Sequence, residues 1–519
     1  MNKLKTAAAS VLAAAMVLSL TACDEEPAVN GGSNGGASNA SNAAPNASTE
    51  NNNAPVSAVT TATFDTDKDV QEAAKSAADK LDNPDLEVDT RIKWMAWWEI
   101  DETAANAELF KEVYGIPEKG IEKSANYDHT GRIFDYMYTD YNSRYDKLAT
   151  AIQAGDSPDL FPFEIRDYPY GALQGRYQPI DGIVDLTTDK WTKAKDVMDQ
   201  FELNGKQYCA IYEISFDSLL YYRKSVIEDA GLEDPRELFE NDNWTWDTFL
   251  DMARQFQKTG DDENPKFVTE GYNTEIELLV STGTPIISIE GGKLINNMNS
   301  ANVQRAMDLL STLQSENLRW PIQENGWSVN PKLWAQGNIL FYANGGTWEF
   351  EGDSGLKKFA DRFSWDEDEI NVVPYPRDPQ ADKYYHFMKQ DALMWCKGST
   401  NANGVAAWID CCVTTSLDDK VTAASRKQAK DKYGWTDYNL DFIYSQTTLD
   451  GTSKITPIFD FKNGIGNDIA DASKSESPVE ALTKTVYLSG EKTYAQLNAE
   501  YFTQIDTRIN EINEKISKL

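Results

Sequence analysis

Histidine is nearly absent from this chain: only His129 and His386 occur among 519 residues. Cysteine is scarce too, at five, and no pair stands in C-x-x-C spacing. These shortages exclude a structural zinc module, which needs clustered thiolate and imidazole ligands. They also leave no Ser/His/Asp or Cys/His arrangement for nucleophilic catalysis. Basic charge is short as well: 49 Lys and Arg face 83 Asp and Glu, a formal charge of −34. Phosphate backbones and anionic lipid surfaces repel such a chain, so no nucleic-acid partner is expected and membrane contact needs a separate device. No apolar run reaches the roughly 20 residues of a spanning helix. A phosphate-cradling G-x-x-x-x-G-K loop and short internal repeats are also missing. No metal and no cofactor is expected.

What is present begins at the N-terminus. Lys3 and Lys5 precede an apolar stretch from Ala7 to Leu20, the pattern of a secretion signal. Leu20-Thr21-Ala22-Cys23 then sets small residues before a cysteine, as in a bacterial lipobox. Residues 1–22 are therefore expected to be a signal peptide, and Cys23 a lipidated, palmitate-type anchor on the extracytoplasmic face of the cell membrane. Residues 23–63 are rich in Asn, Gly, Ser, Ala and Thr, with Pro27, Pro45 and Pro55. So little apolar surface cannot offset ordering entropy, and a flexible tether spanning about 35 Å is predicted.

The remaining roughly 455 residues exceed what one core organises, so two or more lobes are expected. Their pattern alternates strand and helix. Arg91–Trp98, His129–Tyr141 and Asp159–Phe161 read as strands. Between them, Glu102–Tyr114 and Asn142–Gln153 read as helices, the latter closed by Gly155. The rhythm recurs with a strand at Ser218–Tyr222, a helix after Thr245, and a helix at Val303–Leu313. It continues with strands at Asn338–Tyr342 and Ile370–Val373, and helices at Ala402–Val413 and Thr493–Leu519. This is an α/β chain with sheets flanked by helices. Cys209, Cys396, Cys411 and Cys412 carry no readable pairing; adjacent Cys411 and Cys412 suit packing. Aromatics make up 11% of the chain. Trp97-Trp98, Trp244, Trp246, Trp327, Trp334 and Trp348 lie near turn signals, where flat rings can line a cleft and stack on sugars.

Seven segments, in order, resemble one family. Thr150 to Leu160, with G-x-x-P-D in Gly155-Asp156-Ser157-Pro158-Asp159, looks like a helix, A-x-G-x-x-P-D, strand signature. Gln178-Pro179-Ile180-Asp181, Asn204-Gly205-Lys206-Gln207-Tyr208 and Tyr221-Tyr222-Arg223-Lys224 through Ala230-Gly231-Leu232 follow. Then come Trp244-Thr245-Trp246-Asp247-Thr248-Phe249, Trp334-Ala335-Gln336-Gly337 with Gly345-Gly346-Thr347-Trp348, and Val373-Pro374-Tyr375-Pro376. The series resembles family-one extracellular solute-binding proteins, the maltose-binding-like group. The sequence departs from the family pattern at Cys209-Ala210-Ile211-Tyr212, at Asn338-Ile339-Leu340, and at Thr248, where Glu would complete a capping box.

The resemblance implies a two-lobed α/β clamp, each lobe a sheet flanked by helices, with three inter-lobe crossings near Tyr212, Val373 and Leu417. The N-lobe would be 64–212 and 374–417, the C-lobe 213–373 and 418–519. A carbohydrate, an oligosaccharide, would lie in the cleft and pass to ABC transporter permease subunits, with the protein a monomer and no enzyme. Candidate ligand contacts are Trp97 and Trp98 at the end of the first strand, Glu164 beyond the Pro158-Asp159 strand, and Tyr212 at the first crossing. Trp327, Trp348, Glu349, and Asp391 in a loop before the strand Ala392–Trp395 complete the set. Trp348 resembles the family's stacking ring. Core packing, hinge packing and ordinary surface exposure compete for these residues. A binding protein for a non-sugar solute or a metal, the latter with Tyr384-Tyr385-His386 resembling the paired tyrosines of iron-binding relatives, a glycoside hydrolase with two carboxylates about 5 to 9 Å apart, and an adhesion lipoprotein are the competing functions.

Overall fold

The computed structural model describes residues 68–124, 127–271, 273–321, 331–343, 345–346, 356–366, 368–449, 451–471, 474 and 476–519. Two sheets organise them. In the first, strand Ile92–Ala96 pairs in parallel with Phe134–Tyr138 and, at Trp94↔Leu160, with Leu160–Pro162. Helix Ala105–Tyr114 links the first two strands and helix Arg144–Ala154 leads into the third, giving a parallel βαβαβ run. The second sheet runs in the order Ile370–Val373, Leu220–Arg223, Ile339–Ala343, Phe267–Gly271, with mixed pairing. This is the mixed α/β architecture expected.

The expected helices stand close to where spacing put them. Arg144–Ala154 ends at Gly155, whose φ of +74° is a left-handed cap that glycine takes without strain. Trp246–Gln257 starts at Thr245, and the Thr248 hydroxyl accepts from the Thr245 amide at 2.9 Å. Thr248 thus completes the capping box that a Glu normally closes. Asn204 and Gly205 both have positive φ, and Leu203 pairs with Lys206, so N-G forms a tight hairpin. Asp181 accepts from the Gln207 amide and docks the preceding turn on that hairpin.

One face of the first sheet is covered by Ala105–Tyr114 and Ala402–Ser416. Trp408, 2% exposed, packs edge-on to Phe134 at 4.7 Å and to Phe110 at 6.1 Å. Truncating such a ring costs about 3–5 kcal/mol. Asp159 of the P-D motif pins this assembly. Its carboxylate accepts from the Lys93 amide (2.9 Å), Ser399 Oγ (2.6 Å) and Asn401 Nδ2 (3.3 Å). Asn401 in turn caps Ala402–Ser416.

A long antiparallel ribbon extends the first sheet to six strands. Cys209–Phe216 pairs with Tyr384–Trp395 from Met394↔Cys209 to Met388↔Phe216. The far end of Tyr384–Trp395 pairs with Ile455–Ile458, and its near end with Leu160–Pro162. The register jumps between Asp391 and Ala392, which oppose Glu213 and Ile211, so Tyr212 is the extra residue of a β-bulge. Asp391 therefore lies inside a strand and not in a loop as the sequence suggested. Cys209, Cys396, Cys411 and Cys412 are buried free thiols. No described helix is long and apolar enough to cross a membrane.

Candidate functional site

The carboxyl ends of parallel strands deliver side chains to one edge, the usual ligand position of α/β sheets. Here Ile92–Ala96 runs into Trp97-Trp98, Phe134–Tyr138 into Tyr141, and Leu160–Pro162 into Glu164. Trp97 meets Trp98 edge-on at 4.4 Å and Tyr141 at 5.2 Å, with Phe161 at 6.5 Å. Both tryptophans keep partial exposure. Trp94 fixes the turn by donating its indole N–H to the Trp98 carbonyl at 3.0 Å.

Charged groups interleave with these rings. Arg144, the first residue of its helix, lies over Tyr141, Tyr145 and Trp97, with its Cζ at 3.8, 4.3 and 5.2 Å from the centroids. It donates Nη2 to Glu164 Oε1 at 3.0 Å, and Nε to Oε2. Tyr145 donates its hydroxyl to the same carboxylate. Arg176 pairs with Asp167, which also accepts from Tyr177 at 3.0 Å. Burial pushes the Asp167 carboxyl up, against the pull of Arg176. Arg166 is the looser cation, 39% exposed and 3.7 Å from Glu164. Phe163, Glu164, Asp167 and Met394 border a narrow crevice too tight to admit a water molecule.

Five sequence candidates fall in the described structure. Trp97, Trp98 and Glu164 come together at this edge. Tyr212 and Asp391 lie on the ribbon, where Ser416 Oγ donates to the Tyr212 carbonyl (2.7 Å) and Lys389 Nζ to Asp391 Oδ1 (2.6 Å). Trp327, Trp348, Glu349 and Cys23 lie outside the described residues. Trp244, Trp246 and Trp334 do not line a cleft: they are 0%, 5% and 0% exposed. The Trp244 and Trp246 indoles are bonded to the Pro374 carbonyl and Ser281. Sequence reasoning missed Arg144, Tyr141 and Tyr145. Their i, i+3, i+4 spacing around a helix start was the available signal.

Tyr384, Tyr385 and His386 do not converge as metal ligands. Tyr384 packs on Phe239, Tyr385 donates to Asp382, and His386 sits beside Glu277. Among the described residues no group of three His, Cys, Asp or Glu is placed to hold a metal ion. A depression of about 400 Å³ opens elsewhere, lined by Arg236, Phe239, Tyr438 and Lys454. Its cations are engaged: Arg236 donates to the Val372 carbonyl, and Lys454 pairs with Asp242. The sheet edge, with open rings and partly exposed polar groups, is the better-equipped site.

A two-lobed α/β clamp with aromatic and hydrogen-bonding groups at the strand ends defines a solute-binding protein. The chain belongs to the bacterial extracellular solute-binding protein family, whose model matches residues 123–427; family membership places it outside the cytoplasm. No curated protein sequence matches it. The fold is similar to that of an ABC substrate-binding protein from Listeria monocytogenes in complex with cycloalternan, at 16% identity and TM-score 0.51, covering 82% of this chain and 99% of that one. It is also similar to the sugar-binding protein of Xanthomonas citri, at 15% identity and TM-score 0.55, covering 83% and 98%. A sugar transporter from Rhizobium etli in an open conformation matches at 15% identity and TM-score 0.55, covering 83% and 100%.

Proposed function

We propose that this chain captures a carbohydrate, an oligosaccharide, between its lobes and delivers it to ABC importer permease subunits. In this reading it is a monomer, catalyses no reaction, and is held at the cell membrane by a lipid on Cys23. The observation that carries the reading is the group of Trp97, Trp98 and Tyr141 at the strand ends, interleaved with the Arg144–Glu164 pair. Flat weakly polar faces stack on sugar rings, and charge-assisted hydrogen bonds read hydroxyls. The Listeria relative's cycloalternan ligand supports it by analogy.

Trp327, Trp348 and Glu349 are further proposed contacts. We take the lobe boundary to be 64–212 and 374–417 against 213–373 and 418–519, with hinge motion concentrated at the Tyr212 bulge. Closure is a population shift toward the state that the sugar binds better.

The test is a thermal-shift screen of the mature chain against oligosaccharides, amino acids, peptides and Fe(III). A ligand at 100 Kd adds about 2.7 kcal/mol. A shift with a glycan supports the reading. Shifts only with the other classes, or release of reducing sugar during incubation, refute it. For the anchor, a Cys23→Ala variant should leave the membrane fraction and appear in the medium. Unchanged membrane retention sinks that part.

A further inference from the structure

One face of the ribbon that extends the first sheet is polar where a buried ribbon would be apolar. Directly opposed residues of an antiparallel pair share a face. Ser215 opposes Lys389 and Glu213 opposes Asp391, and Asp217 continues the alternation just past the strand end. Lys389 Nζ bonds Asp391 Oδ1, and their side chains are 18% and 15% exposed. Burial pulls the Lys389 ammonium down, but Asp391, Glu213 and Asp217 outweigh it and the net shift is upward. Asn273 donates to Asp217 at 2.8 Å. Burial raises the Asp217 carboxyl, and Lys389 and Arg166 pull against it. Through Arg166 this face is continuous with the aromatic edge around Glu164.

Two polar atoms here have no partner among the described residues. Ser215 is 3% exposed and its Oγ is unbonded; Asp391 Oδ2 is buried and unbonded. An unmet buried hydroxyl and carboxylate oxygen cost stability unless something completes them. The two lie on the same ribbon face; the carboxylate oxygen accepts, and the hydroxyl can accept or donate. The titratable groups of the ribbon face and the strand-end edge are Arg144, Arg166, Arg176 and Lys389 against Glu164, Asp167, Glu213, Asp217 and Asp391. Carboxylates outnumber cations, most strongly on the ribbon, where only Lys389 is positive.

We infer that Ser215, Asp217, Lys389 and Asp391 form the floor of the binding site, and that this floor selects neutral or amino-bearing glycans and turns away acidic ones. The inference rests on the carbohydrate reading above. A ligand hydroxyl or ammonium donates to Asp391 Oδ2 and Ser215 Oγ. Lys389 is a positioning residue that occupies Oδ1 and so leaves Oδ2 free. A uronate or sulfate would bring like charge against three carboxylates in a partly desolvated place, which is costly.

The experiment is a calorimetric titration of the mature chain with matched trisaccharides. Neutral probes are the malto-, cello-, xylo- and manno-series; glucosamine trimer is the amino probe; galacturonate and mannuronate trimers are the acidic ones. A neutral or amino probe should bind. Against that probe, Asp391→Asn and Ser215→Ala should each weaken affinity about tenfold, and Lys389→Met should do so while Lys389→Arg, which keeps the cation beside Asp391, restores affinity to within about threefold. Tightest binding of an acidic trimer overturns the inference while leaving the carbohydrate reading intact. Neutral binding unaltered within twofold in Asp391→Asn, Ser215→Ala and Lys389→Met also overturns it. Silence of every probe overturns both.

Discussion

The Arg144–Glu164 pair decides whether Glu164 serves the fold or the ligand. Its side chains are 6% and 14% exposed, so solvent screening is slight. Arg144→Met would strand Glu164 with only the Tyr145 hydroxyl and the distant Arg166. Breaking one side of a buried pair costs about 3–5 kcal/mol. For a lobe of some 200 residues, each kcal/mol lowers the melting point by about 2–4 °C, so a fall of roughly 10 °C is expected. Glu164→Gln should cost somewhat less, because Arg144 keeps the Tyr141 carbonyl and three ring faces. The double variant removes both charges and should recover part of the loss, giving a coupling energy of about 2–3 kcal/mol. Urea unfolding followed by tryptophan fluorescence measures all four corners of the cycle, with Trp97 as a nearby reporter. A coupling below about 0.5 kcal/mol would refute the claim that this pair preorganises the site.

Trp97→Ala should weaken glycan binding at least about tenfold while leaving unfolding of the second sheet unchanged; calorimetry with the best probe reads this. Glu277 is fully buried, and burial raises its carboxyl well above 4.5. The folded chain then holds a proton that the unfolded chain releases, so this contribution is whole below about pH 4.5 and is lost as pH rises. Glu277→Gln should therefore gain melting temperature over the parent from pH 5 to pH 9; a constant difference refutes it. Its neighbour His386 is lowered by burial to about 4 from 6.5. That contribution is whole above about pH 6.5 and is lost as pH falls toward 4. His386→Gln should flatten the acid limb of the stability profile. Burial pushes the Cys412 thiol up to about 12, so labelling by a thiol reagent at pH 8 should track unfolding; rapid labelling of native protein would contradict its burial.

Regular amphipathic helices were legible because their buried positions are apolar. Arg144–Ala154 and Trp246–Gln257 kept their caps, and Ile370–Val373 kept its ends. Asp419–Tyr433 escaped notice because Ser425 and Gln428 hold half of its buried positions. Spacing cannot see a stripe made of polar residues. The strand Tyr384–Trp395 was recognised only at its end. Lys389, Gln390 and Asp391 interrupt its apolar run, and charged residues read as a loop when the sequence does not show which face they occupy. Tryptophan near a turn is equally ambiguous. Trp97 reached the sheet edge while Trp244 and Trp334 went into the core, and only tertiary packing separates those outcomes.

Those interruptions fall where local pattern and global fold disagree, and such disagreement concentrates at functional places. At the strand ends each visible carboxylate has a cation: Glu164 has Arg144, Asp167 has Arg176. Groups already bonded to each other bring no new energy to a ligand, but they arrive ordered, which lowers the entropic cost of binding. The ligand's own gain must then come from ring faces and from acceptors left open. In the proposed site Trp97, Trp98 and Tyr141 would supply the faces, and Ser215 Oγ and Asp391 Oδ2, buried and unbonded, would supply the acceptors. Asp391, a candidate contact that the sequence placed in a loop, is thus in this reading a strand position where a hydroxyl of the sugar would be held.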